Sequence, residues 1–321
     1  MTAPLPQNRC PFTLEEVAKA TGGELCCLEA SAVFRGVSTD SRTVEAGQLF
    51  VALKGENFDG HHFVEEARRR GALPLVRAGS RTAGPRIEVS DTLTALGALA
   101  RHHLQRERSR RSLPVLAIGG AAGKTTSRSL AEAGARALFG TVLATAGNFN
   151  NRVGVPLTLL SLTEEHQALV VECGTSEPGE IAALGSIVQP DVALVLNAGL
   201  EHSERLGDLE AIAREEGSLF EFARKAVVTA EDEPRLIQRA VATGLPTILF
   251  GSTREAAVKV VARRLLPTGG SEVHVRIQGH FRVFDSLEIR LRTGLIGADR
   301  TIKERKSGIC WSPEARSRSA P

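Results

Sequence analysis

The chain has 321 residues, of which 42% are apolar and 24% charged; these ordinary globular values argue against wholesale disorder or a fibrous protein, and the length predicts about two domains. Its 40 Lys and Arg against 37 Asp and Glu give a formal net charge of only +3, which argues against a dedicated nucleic-acid-binding protein. With 12 Phe, one Trp and no Tyr, it also lacks the aromatic residues of a base-stacking surface.

The cysteine pattern and the absence of a targeting segment predict a cytoplasmic protein. The five Cys form no CxxC pair, so they indicate neither a disulfide framework nor a zinc site. The N-terminal stretch MTAPLPQNRCPF has no basic region followed by an apolar one, which argues against a signal peptide. No apolar run approaches the roughly 18 residues of a membrane span, so we expect no membrane insertion.

The first 108 residues predict a small α/β unit. TLEEVAKAT at 13–21 begins with Thr13 and has Glu16 three positions later, the spacing of a capping box, and Gly22 is suited to end that helix. Short strands are predicted at 32–38 and 47–53. A helix at 62–70, ended by a glycine, and a strand at 73–78 follow. The charged run QRERSRRS at 105–112 is interpreted as a solvated hinge.

From residue 113 onward, apolar strands alternate with helices. The predicted strands are 113–120, 168–174, 191–199, 225–230 and 247–251, and the predicted helices are 122–138, 179–188, 209–223 and 235–244. This rhythm is typical of a P-loop-containing central domain with a mostly parallel sheet covered by helices. Beyond about residue 283 the rhythm fades, and no clear element is predicted there.

The segment Gly120-Ala-Ala-Gly-Lys-Thr-Thr126 carries the strongest chemical signal. It follows an apolar strand and opens a helix, the context in which backbone N–H groups and the helix dipole bind phosphate. Lys124 can neutralise phosphate charge, and the Thr125 hydroxyl is placed to ligate Mg²⁺. The spacing is shorter than the strict P-loop motif, since Ile118 stands five residues before Gly123. The alternative is a glycine-rich turn that merely caps a helix.

Several motifs in one order resemble the Mur ligases, the ATP-dependent amide-forming enzymes of peptidoglycan synthesis. After the glycine loop come ATAGNFNNRVGVPLTLLSL at 144–162, VVECGTSEPGEI at 170–181 and NAGLEH at 197–202. GNFNN followed by GVPLTLL is similar to the branch that joins D-alanyl-D-alanine to UDP-N-acetylmuramoyl-tripeptide. STDSR at 38–42 and the stretch 49–64 are similar to the part of such enzymes that holds the uridine-diphosphate end. The resemblance covers roughly residues 12–280.

The resemblance implies a set of site residues for a reaction in which ATP converts a carboxylate to an acyl phosphate that an amine then attacks. Lys124, Glu172 and His202 would be catalytic, and Thr125, Glu172, His202 and Glu216 would serve Mg²⁺. The nucleotide would contact Gly120, Gly123, Lys124, Thr125, Thr126 and Asn197. The muramyl peptide would lie against Asn148, Asn150, Asn151 and Ser176, and its nucleotide-sugar end near Thr39, Asp40, Ser41 and Arg42.

Each of these assignments has a structural alternative. Glu172 ends an apolar strand, where a carboxylate is costly to bury unless it is paired, and such strand ends form the ligand crevice of open α/β sheets. His202 is alternatively an exposed loop histidine, and the Asn-rich segment a turn, because Asn tolerates left-handed geometry. Asp40 and Arg42 are alternatively a surface ion pair that contributes little.

The sequence departs from the family in the loop and at the metal site. Gly119, Ala121 and Ala122 stand where the family usually has hydroxyl residues, which removes hydrogen bonds of about 0.5–1.5 kcal/mol each. Glu201 stands directly before His202, where the family prefers a small residue. Glu216 stands in place of the family's carbamylated lysine, so it keeps the charge and loses reach, and we predict weakened binding of a second Mg²⁺.

The predicted domains are 1–108, which binds the UDP-muramyl peptide, 109–280, which binds ATP, and an atypical basic tail at 281–321. Residues 286–321 hold eight Lys or Arg and four Asp or Glu. The tail stands where the family has a C-terminal domain, which suggests a reading-frame change near 281–290. The alternatives to a monomeric ligase are a truncated homologue that binds both substrates without ligating them, a folylpolyglutamate-type or MurE-type ligase, and a module that senses UDP-muramyl peptides.

Overall fold

A computed structural model describes the chain at residue 6 and over residues 8–28, 33–55, 58–199, 203–253, 256–265, 271–281 and 284–293. Within these residues, a five-stranded and a nine-stranded sheet each carry helices, and a two-stranded ribbon accompanies the smaller sheet. The predicted α/β class is confirmed, with a small N-terminal unit followed by a larger and mostly parallel one.

The N-terminal unit is built on a mixed five-stranded sheet. Its elements in chain order are β1 (Pro11–Thr13), α1 (Leu14–Thr21), β2 (Glu24–Cys26), β3 (Val33–Arg35), β4 (Val37–Ser38), β5 (Leu49–Val51), a 3-10 helix (Gly60–Phe63), α2 (Val64–Arg69), β6 (Leu73–Arg77) and β7 (Arg86–Val89). The sheet order is β2-β7-β6-β5-β4, in which only β2 is antiparallel to its neighbour, and β1 pairs with β3 separately.

The capping signals at the start of the chain act as predicted. The Thr13 hydroxyl accepts a hydrogen bond from the Glu16 amide at 3.1 Å, and the Glu16 carboxylate accepts one from the Thr13 amide at 2.8 Å. Gly22 ends α1 with a φ of 66°, and Gly71 follows α2 with a φ of 84°. Both glycines adopt a left-handed conformation that side chains disfavour, which explains why the helices end there.

A 19-residue helix, α3 (Thr92–Arg110), connects the two units. Asp91 caps its first turn by accepting a hydrogen bond from the Thr94 amide at 2.7 Å. The predicted hinge at 105–112 is wrong, because most of that segment is the last part of α3, and Glu107 within it is only 5% exposed. The run of charges hid the helix, since Arg106 and Arg108 within it are mostly buried against partners in the two units.

Ion pairs from α3 hold the two units together. Arg106 reaches back to Glu16 on α1 at 3.0 Å. Arg108 reaches forward to Asp191 at 2.9 Å, and the same carboxylate accepts a hydrogen bond from the Val115 amide, also at 2.9 Å. The long helix α3 therefore joins the two units through an ion pair to each of them.

Replacing Asp191 with Asn is expected to lower the free energy of unfolding at pH 7 by about 2 kcal/mol, since hydrogen bonds from charged groups are lost. Burial acts to raise the pKa of the Asp191 carboxyl, but the Val115 amide, Arg108 and Lys225 outweigh it and hold the pKa low. A group with a depressed folded-state pKa stabilises the fold above its ordinary value of about 3.9 and loses that contribution as the pH falls further.

Denaturant titrations at pH 7 and pH 3 measure this difference. The difference in free energy of unfolding between the parent and Asp191→Asn should be smaller at pH 3 than at pH 7. The control is Asp232→Asn at an exposed position, which should unfold like the parent at either pH. A difference that stays as large at pH 3 as at pH 7 would contradict the electrostatic explanation.

The central unit is a nine-stranded sheet. Its elements are β8 (Val115–Gly119), α4 (Lys124–Phe139), β9 (Val142–Ala144), α5 (Gly154–Leu160), β10 (Ala168–Glu172), α6 (Glu180–Val188), β11 (Val192–Val195), α7 (Ser203–Leu206), α8 (Leu209–Gly217), a 3-10 helix (Ser218–Phe222), β12 (Ala226–Ala230), α9 (Pro234–Ala242), β13 (Thr247–Gly251), β14 (Val258–Leu265), β15 (Ser271–Phe281) and β16 (Phe284–Thr293).

The strand order explains where a ligand can bind. The order is β16-β15-β14-β13-β12-β11-β8-β10-β9, and all neighbours from β9 to β14 are parallel. From β8 the chain first crosses to β9 and β10 on one side and then returns to β11 on the other. Ligands of open α/β sheets bind at the carboxyl ends of the strands beside such a reversal. The carboxyl ends of β8, β10 and β11 therefore frame the candidate site.

The end of the described chain differs from the prediction. No clear element was expected beyond about 283, but β14, β15 and β16 form an antiparallel meander on the edge of the sheet, and β16 reaches Thr293. The missed signal is LEIRLR at 287–292, whose alternation of apolar and charged residues is typical of a strand. Residues 294–321, on which the proposed frame change partly depends, lie outside the described residues.

One apolar core runs through both units. It includes Phe12 of the N-terminal unit, Leu99 of α3 and Leu157 and Phe220 of the central unit, each at most 1% exposed. α3 lies at the centre of this core, in contact with α1, α5 and α6. None of the helices within the described residues combines the length and apolar character needed to cross a lipid bilayer.

Candidate active site

The glycine loop between β8 and α4 has the backbone of a phosphate-binding turn. Gly120 and Gly123 have φ values of 122° and 86°, which side chains rarely allow. A Cβ on Gly120 would lie 2.9 Å from the Leu196 backbone nitrogen, so the neighbouring chain also requires glycine there. α4 begins directly after Gly123, and the amides of its first turn open toward the loop.

Lys124 lies folded over this loop. Its ammonium group donates hydrogen bonds to the carbonyl oxygens of Gly120 and, at 2.9 Å, of Ala121. Thr126, the last residue of the motif, is exposed on α4. The positive charge therefore stands at the loop itself, beside the helix N-terminus, where both favour an anion.

Glu172 brings three predicted residues together at the carboxyl end of β10. Its side chain is 1% exposed, and its Oε1 accepts hydrogen bonds from the Thr125 hydroxyl at 3.2 Å and the Asn150 amide group at 2.8 Å. The backbone amide of Glu172 donates to the Thr145 hydroxyl at 2.9 Å. The glycine loop, the GNFNN segment and β10 thus meet at one buried carboxylate.

Arg128 is a site residue that the sequence analysis missed. Its Nε lies 3.5 Å from Glu172 Oε2, and both atoms are buried without a hydrogen-bond partner in the described part of the chain. The available signal was its position three residues after Thr125, which places both on one face of α4. A guanidinium facing a carboxylate compensates the charge that Glu172 brings into the interior.

The donor set around Glu172 suits a hard divalent cation. Glu172 Oε1 accepts from the Thr125 hydroxyl, and Oε2 faces Arg128 at 3.5 Å without making a hydrogen bond within the described residues. Mg²⁺ prefers such carboxylate and hydroxyl oxygens. Among the described residues, no three His, Cys, Asp or Glu side chains are grouped to hold a metal ion. Mg²⁺ usually keeps several waters and binds through one or two carboxylates plus substrate phosphates, so the two oxygens present fit it.

Asn197 follows β11 and binds the backbone of the glycine loop through several hydrogen bonds. Its side-chain oxygen accepts from the Ala122 amide at 2.9 Å, and its amide group donates to the Ala122 carbonyl at 3.1 Å. Its own carbonyl accepts from the Ala121 amide at 3.1 Å. Asn197 was predicted to contact the nucleotide, and the structure places it against the backbone of the loop that would hold that nucleotide.

Glu216, predicted as a metal ligand, lies beneath the same loop. It is 2% exposed near the end of α8, and its Oε2 accepts a hydrogen bond from the Gly120 amide at 2.7 Å. The observed partner of this oxygen is therefore a loop amide. A metal role for Glu216 stays a prediction.

The three predicted asparagines of the GNFNN segment have different surroundings. Asn150 reaches Glu172, as described above. The Asn151 side chain accepts from the amides of Val153 at 3.1 Å and Gly154 at 2.9 Å, which caps the start of α5. Asn148 is exposed. The segment is therefore a turn from which Asn150 reaches Glu172, and its contact with a muramyl peptide stays a prediction.

Replacing Gly154 with Ala is expected to destabilise the protein by at least about 3 kcal/mol, in the range of severe overpacking. An added Cβ would lie 2.5 Å from backbone atoms of Phe149, which cannot move without displacing the GNFNN turn. The control is Gly55→Ala, where the nearest atom would be 3.9 Å away. Thermal denaturation of both variants measures the destabilisation. Equal melting temperatures would contradict the prediction and show that the GNFNN turn accommodates the added Cβ.

Ser176 lies in the loop between β10 and α6, near the GNFNN segment. It is exposed, and its amide donates to Glu180 at 2.8 Å. The two loops are joined where the Gly174 amide donates to the Asn150 carbonyl at 2.8 Å. Ser176 therefore borders the same side of the sheet as Asn150, with its side chain accessible.

The predicted nucleotide-sugar residues lie apart from the loop, at a cleft between the two units. The cleft has a volume of about 750 Å³ and is lined by Thr39, Asp40 and Arg42 on one side and by residues of α3 and the end of α5 on the other. Ser41 is buried and bonds Glu66 at 3.4 Å instead of facing the cleft. Hydrogen bonds from Arg42, which is 81% exposed, hold the pKa of the Asp40 carboxyl low.

His202 and the preceding Glu201 lie outside the described residues, as does Leu200. The structure thus divides the remaining predicted residues into two groups. The loop residues with Glu172, Asn150, Asn197 and Glu216 form one site, and Thr39, Asp40 and Arg42 face a separate cleft.

Comparison with protein families gives two matches that cover most of the chain. The model of the Mur ligase middle domain matches residues 118–300, and that of the Mur ligase family catalytic domain matches residues 33–104. The middle-domain match passes the boundary predicted at 280 and includes β16.

Curated relatives and solved structures agree with these matches. The chain is 35% identical over 261 residues, 78% of its length, to the UDP-N-acetylmuramoyl-tripeptide–D-alanyl-D-alanine ligase of Bacillus subtilis and 39% identical over 209 residues, 65% of its length, to that of Escherichia coli. It covers 55% and 45% of these two proteins, about half the length of the curated relatives it matches.

Two crystal structures share the fold. That of MurF from Acinetobacter baumannii superposes with a TM-score of 0.78 at 29% identity, over 88% of this chain and 61% of that one. That of MurF from Thermotoga maritima in complex with ADP gives 0.68 at 27% identity, over 79% of this chain and 57% of that one.

Proposed function

This chain belongs to the Mur ligase family, and we propose that it joins D-alanyl-D-alanine to UDP-N-acetylmuramoyl-tripeptide with hydrolysis of ATP to ADP and phosphate. The observation that carries the proposal is the buried Glu172 carboxylate, whose Oε1 accepts from Thr125 of the glycine loop and whose Oε2 faces Arg128 at 3.5 Å without a hydrogen bond. Since the reaction consumes ATP, we place it in the cytoplasm.

The glycine loop would hold the triphosphate. Its backbone amides and the N-terminus of α4 favour phosphate oxygens, and Lys124 would turn from the loop carbonyls toward the β- and γ-phosphates. Mg²⁺ would be held by the Thr125 hydroxyl and Glu172, and when bound it neutralises charge on the phosphates. Asn197 would keep the loop in the shape that presents these groups.

The ligation would proceed in two steps. The terminal carboxylate of the tripeptide attacks the γ-phosphorus, ADP leaves, and an acyl phosphate forms. The amine of D-alanyl-D-alanine then attacks the acyl carbon, the C–N bond forms with loss of a proton from nitrogen, and the C–O bond breaks so that inorganic phosphate leaves. The protein contributes mainly alignment and charge neutralisation, which supply most of the catalysis in phosphoryl transfer.

The muramyl peptide would extend from the loop to the cleft between the units. We place its reacting carboxylate near Asn150 and Ser176, and its uridine diphosphate at the cleft beside Thr39 and Arg42. The volume of about 750 Å³ is within the range of small-molecule sites. Arg42, although paired with Asp40, is exposed and provides a cation for a diphosphate.

A second candidate is a homologue that binds both substrates without ligating them. The contact between Glu216 and the Gly120 amide favours it, because this oxygen is directed to the loop rather than to a second cation. Because both candidates would bind the two substrates, only the formation of product distinguishes them.

The deciding experiment incubates the 321-residue chain with ATP, Mg²⁺, UDP-N-acetylmuramoyl-tripeptide and D-alanyl-D-alanine. The ligase predicts ADP release that requires both acceptors, together with a product heavier by the dipeptide in mass spectrometry. Omitting either acceptor is the control. Binding of ADP and of the nucleotide sugar without any product would support the second candidate, and no binding of either would overturn both.

A further inference from the structure

We infer that Glu216 is a positioning residue of the glycine loop, whose carboxylate fixes the Gly120 amide and so holds the loop in the shape that binds nucleotide. The inference rests on the proposed function, since it assumes that this loop takes a nucleoside phosphate. It assigns Glu216 to the loop backbone instead of to the metal.

The contact itself is short and buried. Glu216 Oε2 lies 2.7 Å from the Gly120 nitrogen, and the residue is 2% exposed. Hydrogen bonds from a backbone amide to a carboxylate are among the stronger ones in proteins. Because water does not compete at this depth, loss of the acceptor would leave a buried amide unsatisfied.

Gly119 makes room for this carboxylate. A Cβ on Gly119 would lie 3.2 Å from Glu216 Oε2, closer than most side-chain contacts allow, so the missing side chain lets α8 approach the end of β8. Gly120 in turn has a φ of 122°, a conformation that only glycine readily adopts. The contact therefore lies between a tightly packed Gly119 and a Gly120 whose conformation favours glycine.

The loop is held from two separate elements. Glu216 on α8 fixes its first amide, and Asn197 after β11 fixes the amides of Ala121 and Ala122. Between these anchors the loop has little freedom, and a loop that is already in its bound conformation avoids an ordering cost when a ligand binds.

The carboxylate also brings a negative charge near a site for anions, and this charge opposes phosphate binding. The Lys124 ammonium, bonded to the Gly120 carbonyl, offsets part of it. Glutamine would keep an oxygen that accepts from the Gly120 amide and would remove the charge. Alanine would remove both, so the two substitutions separate anchoring from charge.

The test measures the affinity of a fluorescent ADP analogue for the full chain, once with EDTA and once with Mg²⁺. We expect Glu216→Gln to bind the analogue in EDTA as tightly as the parent or more tightly. We expect Glu216→Ala to bind about tenfold more weakly in both buffers, equivalent to about 1.4 kcal/mol. Glu210→Gln, on the exposed face of α8, is the matched control and should change nothing.

Other outcomes would overturn the inference. If Glu216 were a metal ligand, both variants would bind the analogue normally in EDTA and lose the gain that Mg²⁺ provides. If its role were structural only, the melting temperature of Glu216→Ala would fall while its affinity at a temperature where it is folded stayed at the parent value. Should Glu216→Ala not fold, Glu216→Asp replaces it, because the shorter side chain withdraws the acceptor and keeps the charge.

The inference and the proposed function fail separately. A parent chain that binds no ADP in either buffer overturns both. A parent that binds ADP, with Glu216→Ala equal to it, overturns only the role of Glu216.

Discussion

Replacing Lys124 with methionine is expected to lower the affinity for ADP about a hundredfold and ligase turnover about a thousandfold. The ammonium is the cation nearest the described loop carbonyls, and loss of one preorganised charged donor in phosphoryl or acyl transfer costs about 10²–10³ in rate. Methionine has a similar length and volume, so the helix and the packing around α4 should be kept.

The measurement combines titration with a fluorescent ADP analogue and the release of phosphate. Affinity is the first readout, because it tests the loop even if turnover is slow. The matched control is Lys19→Met, since Lys19 is exposed in the last turn of α1 and faces no part of the site. An affinity for ADP within threefold of the parent would contradict phosphate binding at this loop, and with it the proposed function.

Replacing Glu172 with glutamine is expected to abolish the gain in ADP affinity that Mg²⁺ provides and to lower turnover at least about a hundredfold. The glutamine oxygen can still accept from Thr125 and Asn150, so the shape of the site is kept. The charge is lost, and the neutral amide no longer supplies the anionic oxygen that Mg²⁺ prefers. Affinity for ADP in EDTA should stay close to that of the parent.

Glu172→Gln is also expected to lower the free energy of unfolding by about 1–3 kcal/mol, because Arg128 loses a buried partner. Arg128 also lies 3.4 Å from Glu132, which limits the loss. Glu65→Gln is the control, since Glu65 is 69% exposed and pairs only with Arg68 among the described contacts of its carboxylate. If Mg²⁺ raised the ADP affinity of Glu172→Gln as much as that of the parent, the assignment of Mg²⁺ to Glu172 would be contradicted.

These two variants address different parts of the same site. Lys124→Met acts on the phosphate in either buffer, whereas Glu172→Gln acts only when Mg²⁺ is present. If both variants lost the same affinity for ADP in EDTA, the cause would be a disrupted loop rather than the loss of one phosphate or Mg²⁺ contact. Lowered melting temperatures of the variants would show such a disruption.

Much of the architecture could be predicted because its signals are local. The capping box of Thr13 and Glu16, the alternation of apolar strands with helices, and the glycine loop before α4 each depend on residues a few positions apart. The same holds for the end of β10, where Glu172 follows an apolar strand. These features were correctly located, since backbone preferences and strand or helix periodicity act within one element.

The errors arose where long-range partners decide the structure. The charged run at 105–112 was interpreted as a hinge, but Arg106 and Arg108 pair with Glu16 and Asp191, which lie far from them in the chain, and most of the run completes a helix. β16 is the exception, because its local signal, the alternation of apolar and charged residues in LEIRLR at 287–292, was present and was overlooked.

The amino-acid sequence by itself determined where the glycine turn lies and which family the chain resembles. Only the tertiary structure decided how that turn is held. Asn197 is 75 residues from Ala122, Glu216 is 96 residues from Gly120, and Asn150 is 22 residues from Glu172. Contacts over such separations depend on strand order and helix packing, so no motif of a few residues can encode them.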